Sequence, residues 1–168
     1  MKTVAIIQAR MGSTRLPGKI LKNLVGKTVL QHVIERVQQT QSIDEIVIAT
    51  TTLLQDDVVA HEAIKCGANY FRGSEEDVLA RYYLAAKENN ADIVVRITSD
   101  CPLIDPFVID KIVNCFKNEK KYQLVTNASA DLSKRTSSRG LDSEVFSFDT
   151  LDKAFNEAEK PYQREHVT

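Results

Sequence analysis

Six short runs rich in β-branched and apolar residues alternate along this chain with stretches whose apolar residues recur at helical spacing. The runs lie at residues 4–7, 43–50, 68–71, 92–98, 122–126 and 140–148. Between them, Val29, Leu30, Val33, Ile34 and Val37 follow a capping-box pattern at Thr28 and Gln31. A second helix is predicted over residues 56–65, stopped by Gly67, and a third opens where Ser74 precedes Asp77 by three residues and displays Val78, Leu79, Tyr82, Tyr83 and Ala86. Asp105 and Pro106 have the N-cap and first-turn signature of a fourth, with Val108, Ile109, Ile112, Val113 and Phe116 inward. Residues 149–159 place Leu151, Ala154, Phe155 and Ala158 on one face of a fifth. Strand–helix alternation of this kind predicts an α/β fold with a mainly parallel sheet covered on both faces. The break in the pattern is the polar stretch 127–139, which reads as a mobile loop over a site.

No repeat, low-complexity tract or linker divides the 168 residues, which are expected to form one domain, 1–168. A net charge of −1 offers no general attraction to nucleic acid or to an anionic membrane, so any phosphate binding has to come from a local cluster. Three cysteines, Cys66, Cys101 and Cys115, form no C-x-x-C pair and are odd in number, which fits a reducing compartment. With no apolar run of membrane-spanning length and no signal-peptide core, a cytoplasmic location is expected. Self-association into a homodimer is compatible with this reading.

The first apolar run empties into a loop carrying Arg10, Gly12, Ser13, Arg15, Gly18 and Lys19. The glycines let backbone N–H groups turn inward, the arginines bring forked donors and Lys19 a compact charge, a combination suited to a polyphosphate. A Walker loop is excluded, because five residues separate Gly12 from Gly18 and Ile20 follows Lys19 where a magnesium-binding hydroxyl belongs. A G-x-G-x-x-G dinucleotide fingerprint is missing as well.

Asp100 ends the run Ile93 to Ile97 at the place where a parallel sheet holds its ligands, and it reads either as a magnesium ligand or as a cap on the turn at Cys101 and Pro102. Arg96 is a structural strand-end arginine or a substrate contact. Cys101 has no activating histidine in view and reads as a small buried thiol. Arg72, Gly73 and Ser74 follow a strand and precede a helix, which suits an anion or a nucleobase edge, although capping alone explains Ser74 and Asp77. Asp142 and Glu144, two apart on a strand, face the same way and are either ligands for sugar hydroxyls or a second metal, or a solvated strand face.

The segment from Ala9 and Arg10 through Ser13, Thr14, Arg15, Leu16, Pro17, Gly18 and Lys19 resembles the signature loop of the sugar-acid cytidylyltransferases, which make CMP-Kdo and CMP-sialic acid from CTP. Together with Thr98, Asp100, Cys101, Pro102, Leu103, Asp105 and Pro106, it is most similar to the branch named for the spore coat polysaccharide biosynthesis protein SpsF. The resemblance implies a nucleotide-diphospho-sugar transferase-like (GT-A-like) three-layer α/β/α domain. It implies transfer of CMP from CTP to a sugar or sugar acid, with pyrophosphate released and Mg²⁺ as cofactor. Arg15, Lys19 and Asp100 would be the catalytic groups, with Asp100 holding the metal. Ala9, Arg10, Gly12, Ser13, Arg15 and Lys19 would bind the nucleotide, joined by Arg72, Gly73 and Ser74. Gly140, Asp142 and Glu144 match the family's G-x-D-x-E segment, and Arg164 and His166 its R-E-H-V-T. With Arg96, these residues would face the acceptor. Family members continue past that motif with an R-x-T-V-D-like element, so the chain is expected to lack their C-terminal segment. A nucleotide-sugar-dependent glycosyltransferase would show a D-x-D metal motif that Ser99-Asp100-Cys101 does not supply. A different nucleotidyltransferase and a non-catalytic nucleotide-binding module stay open.

Overall fold

Strand β1 (Thr3–Gln8) carries Val4, Ala5, Ile6 and Ile7, all shut off from solvent. Successive side chains of a strand point to opposite faces, so such a run needs apolar cover on both sides. Val4 and Ile6 pack with Leu79, Tyr82 and Leu151, whereas Ala5 and Ile7 pack with Leu30, Val33, Ile34, Val59 and Ile109. The computed structural model describes residues 1–168 apart from Thr14, Lys120 and Ala130, and the backbone alone at Leu132.

After β1 come a short hairpin, β2 (Asn23–Leu24) and β3 (Lys27–Thr28), then α1 (Val29–Val37), β4 (Glu45–Thr51), α2 (Asp57–Lys65) and β5 (Asn69–Gly73). The second half runs α3 (Val78–Glu88), β6 (Ile93–Thr98), α4 (Pro106–Asn118), β7 (Leu124–Thr126), β8 (Ser143–Ser147), α5 (Phe148–Glu157) and α6 (Pro161–Glu165). Helices α1, α2 and α4 cover one face of the sheet and α3 and α5 the other, which makes the three-layer α/β/α arrangement expected from the sequence. The six-stranded sheet has the order β5-β4-β1-β6-β8-β7. Parallel pairs join β5, β4, β1 and β6, and β8 runs antiparallel to both β6 and β7. From β1 the chain first builds outward to β4 and β5, then crosses back to place β6 on the other side of β1. The strand order therefore reverses between β1 and β6, and a crevice opens at their carboxyl ends. Among the described residues no helix is long and apolar enough to cross a membrane.

Local chemistry fixes the helix starts. The Thr28 hydroxyl accepts from Gln31 N at 2.9 Å, but the Gln31 side chain turns to Glu35, so only half of the expected capping box forms. Asp105 caps α4 by accepting from Phe107 N at 2.8 Å, with Pro106 in the first turn. At α3 the cap is Asp77, which accepts from Ala80 N at 2.8 Å, and not Ser74. Tyr82 of α3 is fully buried, and its hydroxyl donates to Ile6 O at 3.2 Å. Burial pushes its pKa up to about 12.

Four further features depart from the sequence reading. The β2–β3 hairpin turns at Val25 and Gly26, with φ of 51° and 85°, and the short α6 near the end of the chain was not expected. Strand β5 runs two residues further than predicted, so Arg72 and Gly73 belong to the strand. The polar stretch 127–139 holds a 3-10 turn at Leu132–Lys134 and is tied down where Asn127 Nδ2 donates to Leu141 O and Ser137 Oγ donates to Asn127 O.

Candidate active site

The loop after β1 is shaped by its own backbone and by one buried carboxylate. Ser13 N and Gly18 N both donate to Met11 O, at 2.8 and 3.0 Å, which brings Ser13 and Gly18 back onto Met11. Gly18 takes φ +65°, the left-handed region that a side chain resists, and a Cβ there would stand 3.0 Å from the Met11 methyl. Met11 N donates to Asp56 Oδ1 at 2.7 Å, and the Thr51 hydroxyl donates to Asp56 Oδ2. Asp56 is wholly buried and is satisfied by these neutral donors, so it anchors the loop to the end of β4.

Lys19 leaves this loop in a 3-10 turn that the buried Ile20 pins to the core. Its ammonium forms an ion pair with Asp100, the first residue past the Ser99 that follows β6. The contact bridges the reversal point of the sheet. Partial burial raises the Asp100 pKa, but the Lys19 hydrogen bond and charge, with help from the Thr98 hydroxyl, outweigh it and hold the carboxyl below its usual range. Asp100 is thus an ionised, solvent-reachable carboxylate. Arg10 on the other rim pairs with Glu75 at 3.1 Å.

Asp100 separates two clefts. The first, about 450 Å³, is lined by Gln8 and Ala9 at the strand end, by Arg10, Gly12, Ser13, Arg15, Lys19 and Ile20 of the loop, by Val78 and Arg81 of α3, by Thr98 to Asp100, and by Glu165 and His166. Ala9, Arg10, Gly12, Ser13, Arg15 and Lys19 all meet in it, as the sequence suggested. The second, about 360 Å³, is lined by Arg96, Thr98, Asp100, Cys101, Ala128, Gly140, Asp142, Ser143 and Glu144. Arg96 stands directly opposite Glu144 across the β6–β8 pair and donates to it at 2.8 Å, and Asp142 holds Arg135 of the polar stretch. The Thr168 hydroxyl also donates to Glu144. Cys101 is buried against the Thr98 hydroxyl, and burial pushes its thiol pKa up, in keeping with a structural role.

Five expected contacts fall elsewhere. Arg72 spends its fork on Thr51 O, Leu53 O and Asp57, because β5 carries it beside the end of β4 and not into the cleft. Ser74 accepts from Asp77 N and gives its carbonyl to Arg81, so it organises the turn before α3. Gly73 touches no open space: a Cβ would meet Phe71 at 3.0 Å and the Arg81 stem at 3.2 Å. Arg164 is bound to Asp77 at 2.6 Å and to Phe155 O and Ala158 O, and lies over the Phe155 ring, a staple between α3, α5 and α6. Its contacts here are structural, and the neighbouring His166, expected to face the acceptor with Arg96, Asp142 and Glu144, borders the first cleft and not the second, because it follows α6 on the α3 side of the sheet.

Sequence reasoning passed over Asp56, Arg81, Gln8 and Arg135. Asp56 looked like a helix start, and only its tertiary contact with Met11 shows its part in the loop. Arg135 sat in a stretch without periodicity. Arg81 and Gln8 did leave a signal: each is a polar residue at a position where the surrounding apolar pattern calls for burial.

A family profile described as cytidylyltransferase matches residues 4–168. An uncharacterised protein of Methanocaldococcus jannaschii is 43% identical over 100% of this chain and 66% of its own length. The spore coat polysaccharide biosynthesis protein SpsF of Bacillus subtilis is 34% identical over 96% of this chain and 69% of its own. The solved structure of a cytidylyltransferase from Leptospira borgpetersenii superposes with a TM-score of 0.92 at 41% identity, covering 99% of this chain and 69% of that one. The chain thus spans about two thirds of the length of these relatives. A profile match over nearly every residue, and a sheet that brings the basic loop to Asp100 at its reversal point, have one reading in common: the chain belongs to the cytidylyltransferase family.

Proposed function

We propose that the chain transfers CMP from CTP to a hydroxyl of a sugar or sugar acid, releasing pyrophosphate, in the biosynthesis of a surface or spore coat polysaccharide. The observation that carries this reading is the Lys19–Asp100 contact, which sets one ionised carboxylate between a basic cleft and a polar one. The triphosphate lies in the first cleft, against Arg10, Ser13, Arg15 and Lys19, whose charges offset its own. The acceptor lies in the second, where Arg96, Asp142 and Glu144 supply donors and acceptors for hydroxyls. The acceptor oxygen attacks the α-phosphorus in line, an O–P bond forms, and the α–β bridging P–O bond breaks with its electron pair leaving on pyrophosphate. The hydroxyl proton passes to solvent, since Asp100 with its lowered pKa is a poor base. Most of the rate gain on this account comes from holding the two substrates in line.

A magnesium ion fits this donor set. Among the described residues no three His, Cys, Asp or Glu side chains cluster into a ready-made metal cage. Mg²⁺ on nucleotides commonly takes only one or two carboxylates, with phosphates and water as its other ligands. Asp100, ionised and accessible, would hold it. When bound, the ion neutralises charge on the phosphates and the departing pyrophosphate.

The chain incubated with Mg²⁺, one nucleoside triphosphate at a time, a panel of sugars and sugar acids and a pyrophosphatase should release phosphate with CTP and an acceptor together. Release that needs no acceptor, or that prefers a triphosphate other than CTP, would contradict the reading.

A further inference from the structure

The first cleft is bordered by an arginine that no carboxylate touches among the described residues, although Asp56 and Glu75 lie near enough to favour its charge. Arg81 is only 2% exposed and forms no ion pair among the described residues. Its Nη1 donates to Ser74 O at 2.5 Å, while its buried Nε is without a partner. That leaves the side of the guanidinium that carries Nε–H and Nη2–H in parallel. Buried donors are nearly always satisfied, so an orphaned one lining a cleft marks a place where a ligand completes the structure. Gln8, which borders the same cleft, carries a second orphan: its Oε1 is a buried acceptor without a donor. Alternation along β1 puts Gln8 on the face of Val4 and Ile6, which is the face covered by α3, where Arg81 lies.

A phosphate satisfies only half of this pair, because it accepts and does not donate. A nucleobase edge with two adjacent acceptors and an exocyclic amine satisfies both. Cytosine has that edge: O2 and N3 accept side by side, and the N4 amine donates. In uracil N3 carries a proton and position 4 is a carbonyl, so an N–H would face the guanidinium and one oxygen would face another. The remaining wall suits a flat ring, since Val78 and Ile20 border the cleft. Position separates this arginine from the loop cations, for Arg10 and Arg15 are exposed while Arg81 is at the base of the cleft wall. The bare Gly73 makes room for it, as a Cβ there would press on the Arg81 stem at 3.2 Å.

We propose that Arg81 and Gln8 read the nucleobase, the Arg81 fork donating to O2 and N3 of cytosine and Gln8 accepting from its amine, so that this pair sets the preference for CTP over UTP. The proposal rests on the cytidylyl-transfer reading above and names the residues that make the nucleotide a cytidine. Calorimetric titration of the wild-type chain, Arg81→Lys and Gln8→Met with CTP, UTP and inorganic tripolyphosphate, each with Mg²⁺, tests it. Thermal melts check the fold of the variants. Arg81→Lys keeps the charge but not the fork, so CTP affinity should fall about tenfold while tripolyphosphate affinity stays put, the size expected for one bidentate base contact. Gln8→Met should weaken CTP and leave UTP unchanged or tighter, since it also removes the oxygen that opposes the uracil carbonyl, and it decides the matter alone if Arg81→Lys does not fold. A parallel loss for CTP, UTP and tripolyphosphate, or an unchanged CTP-to-UTP ratio in folded variants, would overturn the assignment and leave the transfer reading standing. A wild-type chain that binds tripolyphosphate but has no preference for CTP over UTP would overturn it too, whereas one that binds neither ligand removes the transfer reading and this assignment together.

Discussion

Replacing Asp56 tests how the basic loop is held. The carboxylate is completely buried, accepts from Met11 N at 2.7 Å and from the Thr51 hydroxyl, and forms no ion pair among the described residues, Arg81 acting on it only at longer range. In Asp56→Ala both donors lose their acceptor inside the protein, and a buried unsatisfied donor costs about 1–3 kcal/mol. The Thr51 hydroxyl can rotate, so the expected destabilisation is about 3 kcal/mol and not the full sum. For a chain of this size that lowers Tm by roughly 6–12 °C. Asp56→Asn keeps a carbonyl for Met11 N–H and turns an amide N–H toward Thr51 Oγ, which already accepts from Leu53 N at 3.2 Å. Its cost should stay near 1 kcal/mol, the worth of an ordinary hydrogen bond. Because Met11 lies between Arg10 and Gly12, the alanine variant should also weaken nucleotide binding. Urea unfolding and calorimetry with CTP measure both effects. An asparagine variant as unstable as the alanine one, or an alanine variant within about 1 kcal/mol of wild type, would refute the anchoring role.

Lys19→Ala and Arg15→Ala should each weaken CTP binding by about 1.5–3 kcal/mol, the scale of a charge-assisted hydrogen bond, with little change in melting temperature; unchanged affinity in both variants by calorimetry would remove the loop from the phosphate site. The lowered Asp100 pKa means that its link to Lys19 stabilises the fold above the unfolded-state pKa and is lost as pH falls through the lower folded value. The stability gap between wild type and Asp100→Asn should therefore be flat at neutral pH, close in acid below about pH 4 and stay within about 1 kcal/mol, since both partners are partly exposed; a gap that widens in acid contradicts the sign. Val25 is 90% exposed at φ 51°, a conformation costly for a β-branched residue. Val25→Asn should raise stability by about 1 kcal/mol in chemical denaturation, and a loss of stability would show that the turn is not strained.

The layered fold was legible because its signals are local and repeated. Val4 to Ile7 is apolar without interruption, which only a strand covered on both faces requires, and Asp105 with Pro106 announces α4 from two residues. The basic loop and Asp100 were legible because both follow strands of a parallel sheet, and such strand ends converge. The failures are tertiary. Arg72 was expected at the cleft because β5 was ended two residues early, and a two-residue shift carried its side chain to the carbonyls of Thr51 and Leu53. Arg164 was read from its motif as a ligand contact, while Asp77 and the end of α5 claim it in space. The partnership of Arg135 with Asp142, and that of Asp56 with Met11, joins residues whose own neighbourhoods give no hint of the contact.

Binding of CTP to the wild-type chain and to Asp100→Asn, with and without Mg²⁺, tests most directly whether Asp100 is the joint between the two clefts. The substitution removes the formal charge and nearly keeps the shape. The account predicts that Mg²⁺ tightens CTP binding to the wild type and has no such effect on Asp100→Asn, with metal-free affinity preserved or raised because Lys19 is released to the phosphates. Equal enhancement by Mg²⁺ in both proteins would contradict it and reduce Asp100 to a cap on the turn that follows β6.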